Sequence, residues 1–173
     1  MPSNLRQKPD YNRAMDEARR LLNQFGVVEP PIDPVKIASN LGIGVNFVTL
    51  SAANRNVSGF YDPADNTIYV NEAEYPKRQT FTIAHELGHA LLHRDWAMSE
   101  DYKVLMRDPD ANTSDPIEKE ANAFAAHLLV PRHMLAKYWD KMAVPALSEM
   151  FAVSNAMIGY RISREFDESN ATA

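Results

Sequence analysis

The chain has 173 residues, of which 45% are hydrophobic and 24% charged, so it can bury one core but is too short for two large domains. Its formal net charge of -5 leaves no general excess of lysine and arginine, which argues against nucleic acid as the main ligand. The absence of cysteine excludes disulfides and thiolate zinc sites, so any metal ion must be held by histidine and carboxylate side chains.

The N-terminal residues carry charges and a proline but no apolar segment of the kind found in signal peptides. Nowhere does an apolar run reach the roughly 18 residues that a transmembrane helix needs. We therefore expect a cytoplasmic protein that does not contact the membrane.

Two helices are predicted before any strand. Apolar residues recur at helical spacing from Tyr11 to Phe25, and Gly26 is placed to end this helix. Asp33 followed by Pro34 is typical of an N-cap and a first-turn proline, and predicts a short helix that runs to Leu41. Both helices are expected to pack against the core.

A small sheet is predicted from three short segments. Ile43 to Leu50 favours a strand, while Val57 to Tyr61 and Thr67 to Asn71 flank a turn of Pro, Asp and Asn and predict a hairpin. An exposed edge strand can accept an extended peptide as an added strand. The candidates for this role are Gly59-Phe60-Tyr61 and Ile68-Tyr69-Val70, and an internal hairpin without that role is the alternative.

A pair of histidines with metal-site spacing lies on the next predicted helix, Thr80 to His93. His85 and His89 are four residues apart, so both project from one face and can reach a single ion. Glu86 lies about 100° around the helix from His85 and is expected to act as a base toward a water that the ion activates, not as a ligand. Apolar neighbours place the histidines beside a buried surface, and Gly88 lets another backbone come close.

Two histidines leave this site one protein ligand short of the usual three for catalytic zinc. On the helix predicted from Ile117 to Val130, Glu118 shares the apolar inward face, whereas Glu120 falls roughly 200° from Glu118 and is predicted to point outward. An inward carboxylate on an apolar helix needs a cation, so Glu118 is the predicted third ligand of one zinc ion, with manganese as a substitute in vitro. The alternatives are a first-turn glutamate favoured by the helix dipole and a ligand role for Asp95.

Several polar residues flank the predicted metal site. Asn122 lies one turn after Glu118 and is placed to hydrogen-bond a ligand histidine. His93 continues the four-residue series but drifts around the helix, so it is predicted to lie at the rim or behind the ligands, with a ligand role as the alternative. His127 is predicted to lie on the outer face. A group that stabilises the oxyanion is also needed, and the candidates are Tyr75, Tyr102, Arg132 and His133.

The remaining segments give weaker indications. Asp95 to Pro116 is polar and acidic and predicts a long loop that can gate the site. Two short apolar helices on either side of Val153-Ser154 are similar to a helix-turn-helix. Arg161 and Arg164 are the only arginines of the second of these helices, which favours a packing or lid role over DNA binding, and the pair can also hold a protein substrate.

Two separated segments resemble the ImmA/IrrE metallopeptidase family. They are Phe81 to His93, with the sequence FTIAHELGHALLH, and Glu118 to Pro131, with the sequence EKEANAFAAHLLVP. The resemblance spans roughly Tyr11 to Pro131. It implies three zinc ligands and one catalytic base, at the positions of His85, His89, Glu118 and Glu86.

The resemblance also implies a fold and a function. We expect an α+β, zincin-like metallopeptidase domain with a small sheet over residues 1–138, and a small helix-turn-helix-like appendage over residues 139–173. Members of the family typically cleave helix-turn-helix regulators in phage, mobile-element or stress-response systems, so the expected partner is such a repressor. The alternatives are a zincin-shaped module that binds a repressor without cutting it and a DNA-binding regulator. The intact Glu86 favours catalysis over the first of these.

Overall fold

The computed structural model describes residues 8–54, 56–100, 102 and 115–167. Within these ranges the chain forms eight α-helices, one 3-10 turn and a three-stranded sheet, which confirms the predicted α+β class. In chain order the elements are α1 (Tyr11–Gln24), α2 (Pro34–Asn40), β1 (Gly44–Val48), the 3-10 turn (Ala52–Asn54), β2 (Gly59–Asp62), β3 (Thr67–Asn71), α3 (Pro76–Leu92), α4 (Arg94–Ala97), α5 (Pro116–Leu129), α6 (Arg132–Leu135), α7 (Val144–Phe151) and α8 (Asn155–Phe166).

The ends of α1 and α2 are set by local side-chain chemistry, as predicted. The Asp33 carboxylate accepts the backbone N–H groups of Val35 and Lys36 at the start of α2. Gly26 and Gly42 follow the two helices with φ angles of 62° and 74°, which glycine adopts without steric cost. These residues fix where α2 begins and where both helices end.

The sheet has the strand order β1-β3-β2, with β1 parallel to β3 and β2 antiparallel to it. The predicted hairpin is confirmed, with Gly59 opposite Val70 and Asp62 opposite Thr67. Because β3 is paired on both sides, the prediction that Ile68-Tyr69-Val70 can accept a peptide strand is wrong. The other candidate segment lies on β2, which is an edge strand among the described strands.

Helix α5 is packed between α1 and α3. This arrangement overturns the outward orientation predicted for Glu120, which is only 2% exposed. Its carboxylate faces the start of α1, where it accepts the backbone N–H of Asp10 at 2.7 Å. A helix held between two neighbours buries two opposite faces, whereas the sequence argument assumed one.

The C-terminal helices share the hydrophobic core of the rest of the chain through Leu147, Phe151 and Ile158. Arg161 on α8 is 1% exposed, and its guanidinium donates to the Val130 carbonyl at 3.0 Å. This arginine is therefore turned away from any DNA. The domain boundary predicted between residues 138 and 139 stays a prediction.

The loop predicted over residues 95–116 lies mostly outside the described residues, and its beginning forms part of α4. Of the helices that the structure describes, none combines the length and the apolar character needed to span a bilayer.

Candidate metal centre

The two motif histidines meet Glu118 where α3 packs against the start of α5. The Nε2 atoms of His85 and His89 are 3.1 Å apart, and each lies 3.1 Å from one oxygen of the Glu118 carboxylate. Among the described residues, these three form the group of His, Asp and Glu side chains whose donor atoms converge. Asp95 and His93 are not part of the group.

The spacing of the three donor atoms fits one divalent ion. Four-coordinate zinc with ligand bonds of about 2.0–2.1 Å separates its ligand atoms by about 3.3 Å, close to the observed distances. Two imidazoles and one carboxylate are also a ligand set of catalytic zinc sites. The side chains of His85, His89 and Glu118 are 13%, 1% and 19% exposed, so the cluster is largely shielded from water but still reachable.

Asn122 orients His85. Its Oδ1 atom lies 2.8 Å from His85 Nδ1, which confirms the hydrogen bond predicted for this residue. Since a carbonyl oxygen only accepts, His85 Nδ1 donates and the neutral ring keeps its lone pair on Nε2. That lone pair faces the cluster.

The charges of the cluster suit a cation. Burial opposes ionisation of Glu118, but the imidazoles of His85 and His89, each 3.1 Å from the carboxylate, outweigh burial and hold the pKa of Glu118 well below its usual value. Burial lowers the pKa of His89 to about 4, which keeps this ring neutral at pH 7. Burial has the same tendency at His85, but the Glu118 carboxylate outweighs it and raises the pKa of His85. The carboxylate thus attracts positive charge to this point.

Glu86 lies next to the cluster and is 7% exposed. Burial raises the pKa of Glu86 to about 7, although the nearby His85 opposes this shift. The Tyr102 hydroxyl lies 3.3 Å from Glu86 Oε2 and accepts the Tyr61 backbone N–H at 2.8 Å. Of the four residues considered for the oxyanion, Tyr102 is therefore the one that contacts Glu86.

The buried His93 and Glu120 and the half-buried Trp96 lie behind His89. Sequence reasoning assigned Trp96 no role and predicted the wrong orientation for Glu120. His93 Nδ1 lies 3.1 Å from His89 Nδ1, and His93 Nε2 lies 2.8 Å from Glu120 Oε2. The Trp96 ring lies 5.1 Å from the His89 ring and 6.4 Å from the His93 ring. His93 thus lies behind the cluster, which is one of its two predicted positions, and burial lowers the pKa of His93. The four-residue spacing of His85, His89 and His93 was the feature of the sequence that could have indicated the contact between His89 and His93.

A groove of about 480 Å³ lies beside the cluster, between the beginning of α3 and α8. Phe81 lines it, and the Phe81 ring lies 5.9 Å from the His85 ring, so Phe81 separates the groove from the cluster by one side chain. Its other apolar walls include Tyr75, Met157 and Tyr160. A second cavity of about 260 Å³ is lined by Arg132, His133 and a half-buried His127, among others.

Residues 41–163 match the family model described as the IrrE N-terminal-like domain. The chain is 29% identical over 129 residues to the radiation response metalloprotease IrrE of Deinococcus radiodurans, a match that covers 72% of this chain and 38% of that protein. It is 32% identical over 119 residues to the protein of the same description from Deinococcus deserti, covering 68% of this chain and 40% of the relative. It is also 32% identical over 108 residues to the uncharacterized immunity region protein 2 of Bacillus phage phi105, covering 61% and 63% of the two chains.

A solved structure described as a Mycobacterium tuberculosis transcriptional regulator matches with a TM-score of 0.65 at 19% identity, over 88% of this chain and 46% of that one. This likeness shows a shared fold. The chain spans less than two thirds of the length of each of these relatives. Since the family model covers most of the chain, and two metalloproteases align with it, the chain belongs to the ImmA/IrrE family.

Proposed function

We propose that this chain is a zinc-dependent endopeptidase that cuts a cytoplasmic protein regulator, with His85, His89 and Glu118 as metal ligands and Glu86 as the catalytic base. The convergence of three donor atoms beside a buried carboxylate carries the proposal. A purely structural metal site does not need Glu86. Burying its carboxylate costs free energy, which a catalytic role would explain.

The residues of the chain divide the chemistry between them. A zinc ion held at the cluster supplies a Lewis acid and lowers the pKa of a water to about 7. Glu86 takes a proton from the attacking water and returns it to the leaving amine nitrogen. Burial raises the pKa of Glu86 toward neutrality in the metal-free chain, which favours a carboxyl group that can both take and return a proton. The Tyr102 hydroxyl, anchored on the Tyr61 backbone, holds the Glu86 carboxylate in place.

The groove beside the cluster supports a peptide substrate over a small molecule. An extended chain advances about 3.3 Å per residue, so a substrate cut at the cluster reaches several residues along the adjoining surface. Tyr75 and Tyr160 are 83% and 47% exposed at the groove, and such large exposed aromatics suit contact with a partner. We therefore propose that the groove takes large apolar side chains next to the scissile bond.

The relatives support a regulator as the substrate. Two of them are described as radiation response metalloproteases, and the third as a phage immunity region protein. The resemblance to this family implies helix-turn-helix regulators of phage, mobile-element or stress-response systems as substrates. We accordingly propose a repressor of the helix-turn-helix class as the substrate.

The test is cleavage of a repressor encoded beside the gene for this chain. Purified protein is loaded with zinc or manganese, incubated with the repressor, and the fragments are identified by mass spectrometry. We expect cleavage at few bonds by the wild type, and at least about a 100-fold slower reaction by Glu86→Gln at unchanged metal content. Cleavage that persists in Glu86→Gln would refute the mechanism. Tight binding of the repressor without cleavage by the wild type would instead identify a non-cleaving module.

A further inference from the structure

A buried chain of hydrogen bonds connects the backbone of Asp10 to His89. The Asp10 N–H donates to Glu120 Oε1 at 2.7 Å, and Glu120 Oε2 lies 2.8 Å from His93 Nε2. On its other side, His93 Nδ1 lies 3.1 Å from His89 Nδ1. The side chains of His93 and Glu120 are only 5% and 3% exposed, so water does not compete for these bonds.

The order of groups along this chain fixes where the protons lie. A carboxylate only accepts, so His93 Nε2 must donate to Glu120. A His93 ring that carries one proton, on Nε2, has its lone pair on Nδ1 and can only accept there. His89 Nδ1 must therefore donate, which leaves the lone pair of His89 on Nε2, the atom that faces His85 and Glu118.

We propose that Glu120 and His93 are positioning residues that hold His89 in the tautomer and orientation required for metal binding. The proposal rests on the metal site proposed above. With this assignment, each of the two histidines has a partner that fixes its tautomer, because Asn122 already does so for His85. Partners of this kind typically contribute a factor of about 10 to 100 to metal affinity.

The aromatic surroundings reinforce this role. Trp96 lies against both rings, at 5.1 Å from His89 and 6.4 Å from His93, and Tyr102 lies 4.9 Å from Trp96. These contacts restrict rotation of the His89 ring. Loss of the hydrogen bond between His89 and His93 is therefore expected to change the tautomer of His89 more than the position of its ring. The hydrogen bond from Asp10 to Glu120 also joins the start of α1 to α5. This contact alone would be explained equally well by a purely structural role of Glu120.

Zinc affinity of variants tests the positioning role. Competition with a chromophoric chelator is expected to show about 10- to 100-fold weaker zinc binding by His93→Phe and by Glu120→Gln. The matched control is Glu17→Gln on the outer surface of α1, where Glu17 pairs with Arg20, and its affinity should equal that of the wild type. His93→Gln should regain most of the affinity, because its carboxamide can accept from His89 and donate to Glu120. A purely structural role predicts no such rescue.

The wild type provides a test that needs no variant. In zinc-loaded protein with 15N-labelled histidine, long-range 1H–15N correlations should show His93 with its proton on Nε2 and none on Nδ1. A proton on His93 Nδ1 would overturn the proposal even if Glu120→Gln failed to fold. Unchanged zinc affinity in His93→Phe would overturn this proposal alone, whereas a wild type that binds no zinc would overturn the proposed metal site as well.

Discussion

Gly88 of α3 lies directly against Ala121 of α5. A Cβ atom at Gly88 would lie 3.3 Å from the Ala121 Cα and 3.0 Å from the Phe124 Cδ1 atom, tighter than nine in ten real Cβ contacts. His89 follows Gly88 on one helix, and Glu118 lies one turn before Ala121 on the other. The distance between the two helices therefore sets the distance between the donor atoms of His89 and Glu118.

Replacing Gly88 by valine should damage both stability and the cluster. The added side chain forces α3 and α5 apart, and overpacking of this kind costs about 1–3 kcal/mol. We expect a lower urea midpoint and weaker zinc binding. Gly159→Val is the matched control, since Gly159 is exposed on α8 and, among the described residues, a Cβ atom there would meet nothing within 4 Å beyond its own helix. Equal stability of the two variants would contradict the close helix contact.

Removing Glu118 should abolish stoichiometric metal binding. Its carboxylate supplies one of the three converging donor atoms of the proposed metal site, so Glu118→Ala is expected to lose more affinity than the roughly 10- to 100-fold typical of an outer partner. The zinc content after gel filtration, measured by mass spectrometry, should fall from one ion per chain to near zero, and chelator should no longer change the melting temperature. Glu17→Ala provides the control. One zinc per chain in Glu118→Ala would exclude Glu118 as a ligand.

The helical period was sufficient to predict the convergence of His85, His89 and Glu118, because these residues depend only on local geometry and on one contact between two helices. Likewise, the caps at Asp33 and Gly26 follow from side-chain chemistry within a few residues. Such features are determined by residues that are close together in the sequence.

Features that depend on a third element escaped the sequence argument. The burial of Glu120 requires α1 on the far side of α5, and periodicity within α5 cannot reveal that neighbour. The central place of β3 depends on strand order, which alternation of side chains does not encode. Trp96 and Tyr102 reach His89 and Glu86 through the path of the chain after α3, without any periodic pattern.

Tyr75 occupies a helix N-cap, a position at which serine is more stabilising than tyrosine. It is the N-cap of α3, its side chain makes no capping hydrogen bond, and it is 83% exposed. Serine at an N-cap contributes about 0.5–2 kcal/mol, so Tyr75→Ser should unfold at higher urea concentration. Because Tyr75 lines the groove, the same variant should raise KM for the repressor with little change in kcat.

Ala143 offers the matched control for Tyr75. It is the N-cap of α7, with a similar backbone conformation and no capping side chain, and it does not line the groove. Ala143→Ser should therefore gain stability without any change in KM. An unchanged KM in Tyr75→Ser would show that substrate does not use the groove.

His127 should make stability depend on pH. Burial, followed by the charge of Arg161, lowers the pKa of His127 to about 4, whereas an unfolded histidine has a pKa of about 6.5. Between these values the unfolded chain holds a proton that the folded chain does not, so the free energy of unfolding falls as the pH drops from about 6.5 to about 4 and then levels off. Above pH 6.5 both states are neutral at this residue, and His127 adds no pH dependence.

The matched variant is His127→Gln, which keeps a polar side chain but cannot titrate. Urea unfolding of metal-free protein is measured between pH 8 and pH 4 in both forms, so that the other histidines affect both curves equally. The wild type should lose more stability than the variant within the window from about 6.5 to about 4, and the two curves should run parallel above it. Parallel curves across the whole range would show that His127 keeps its ordinary pKa in the folded chain.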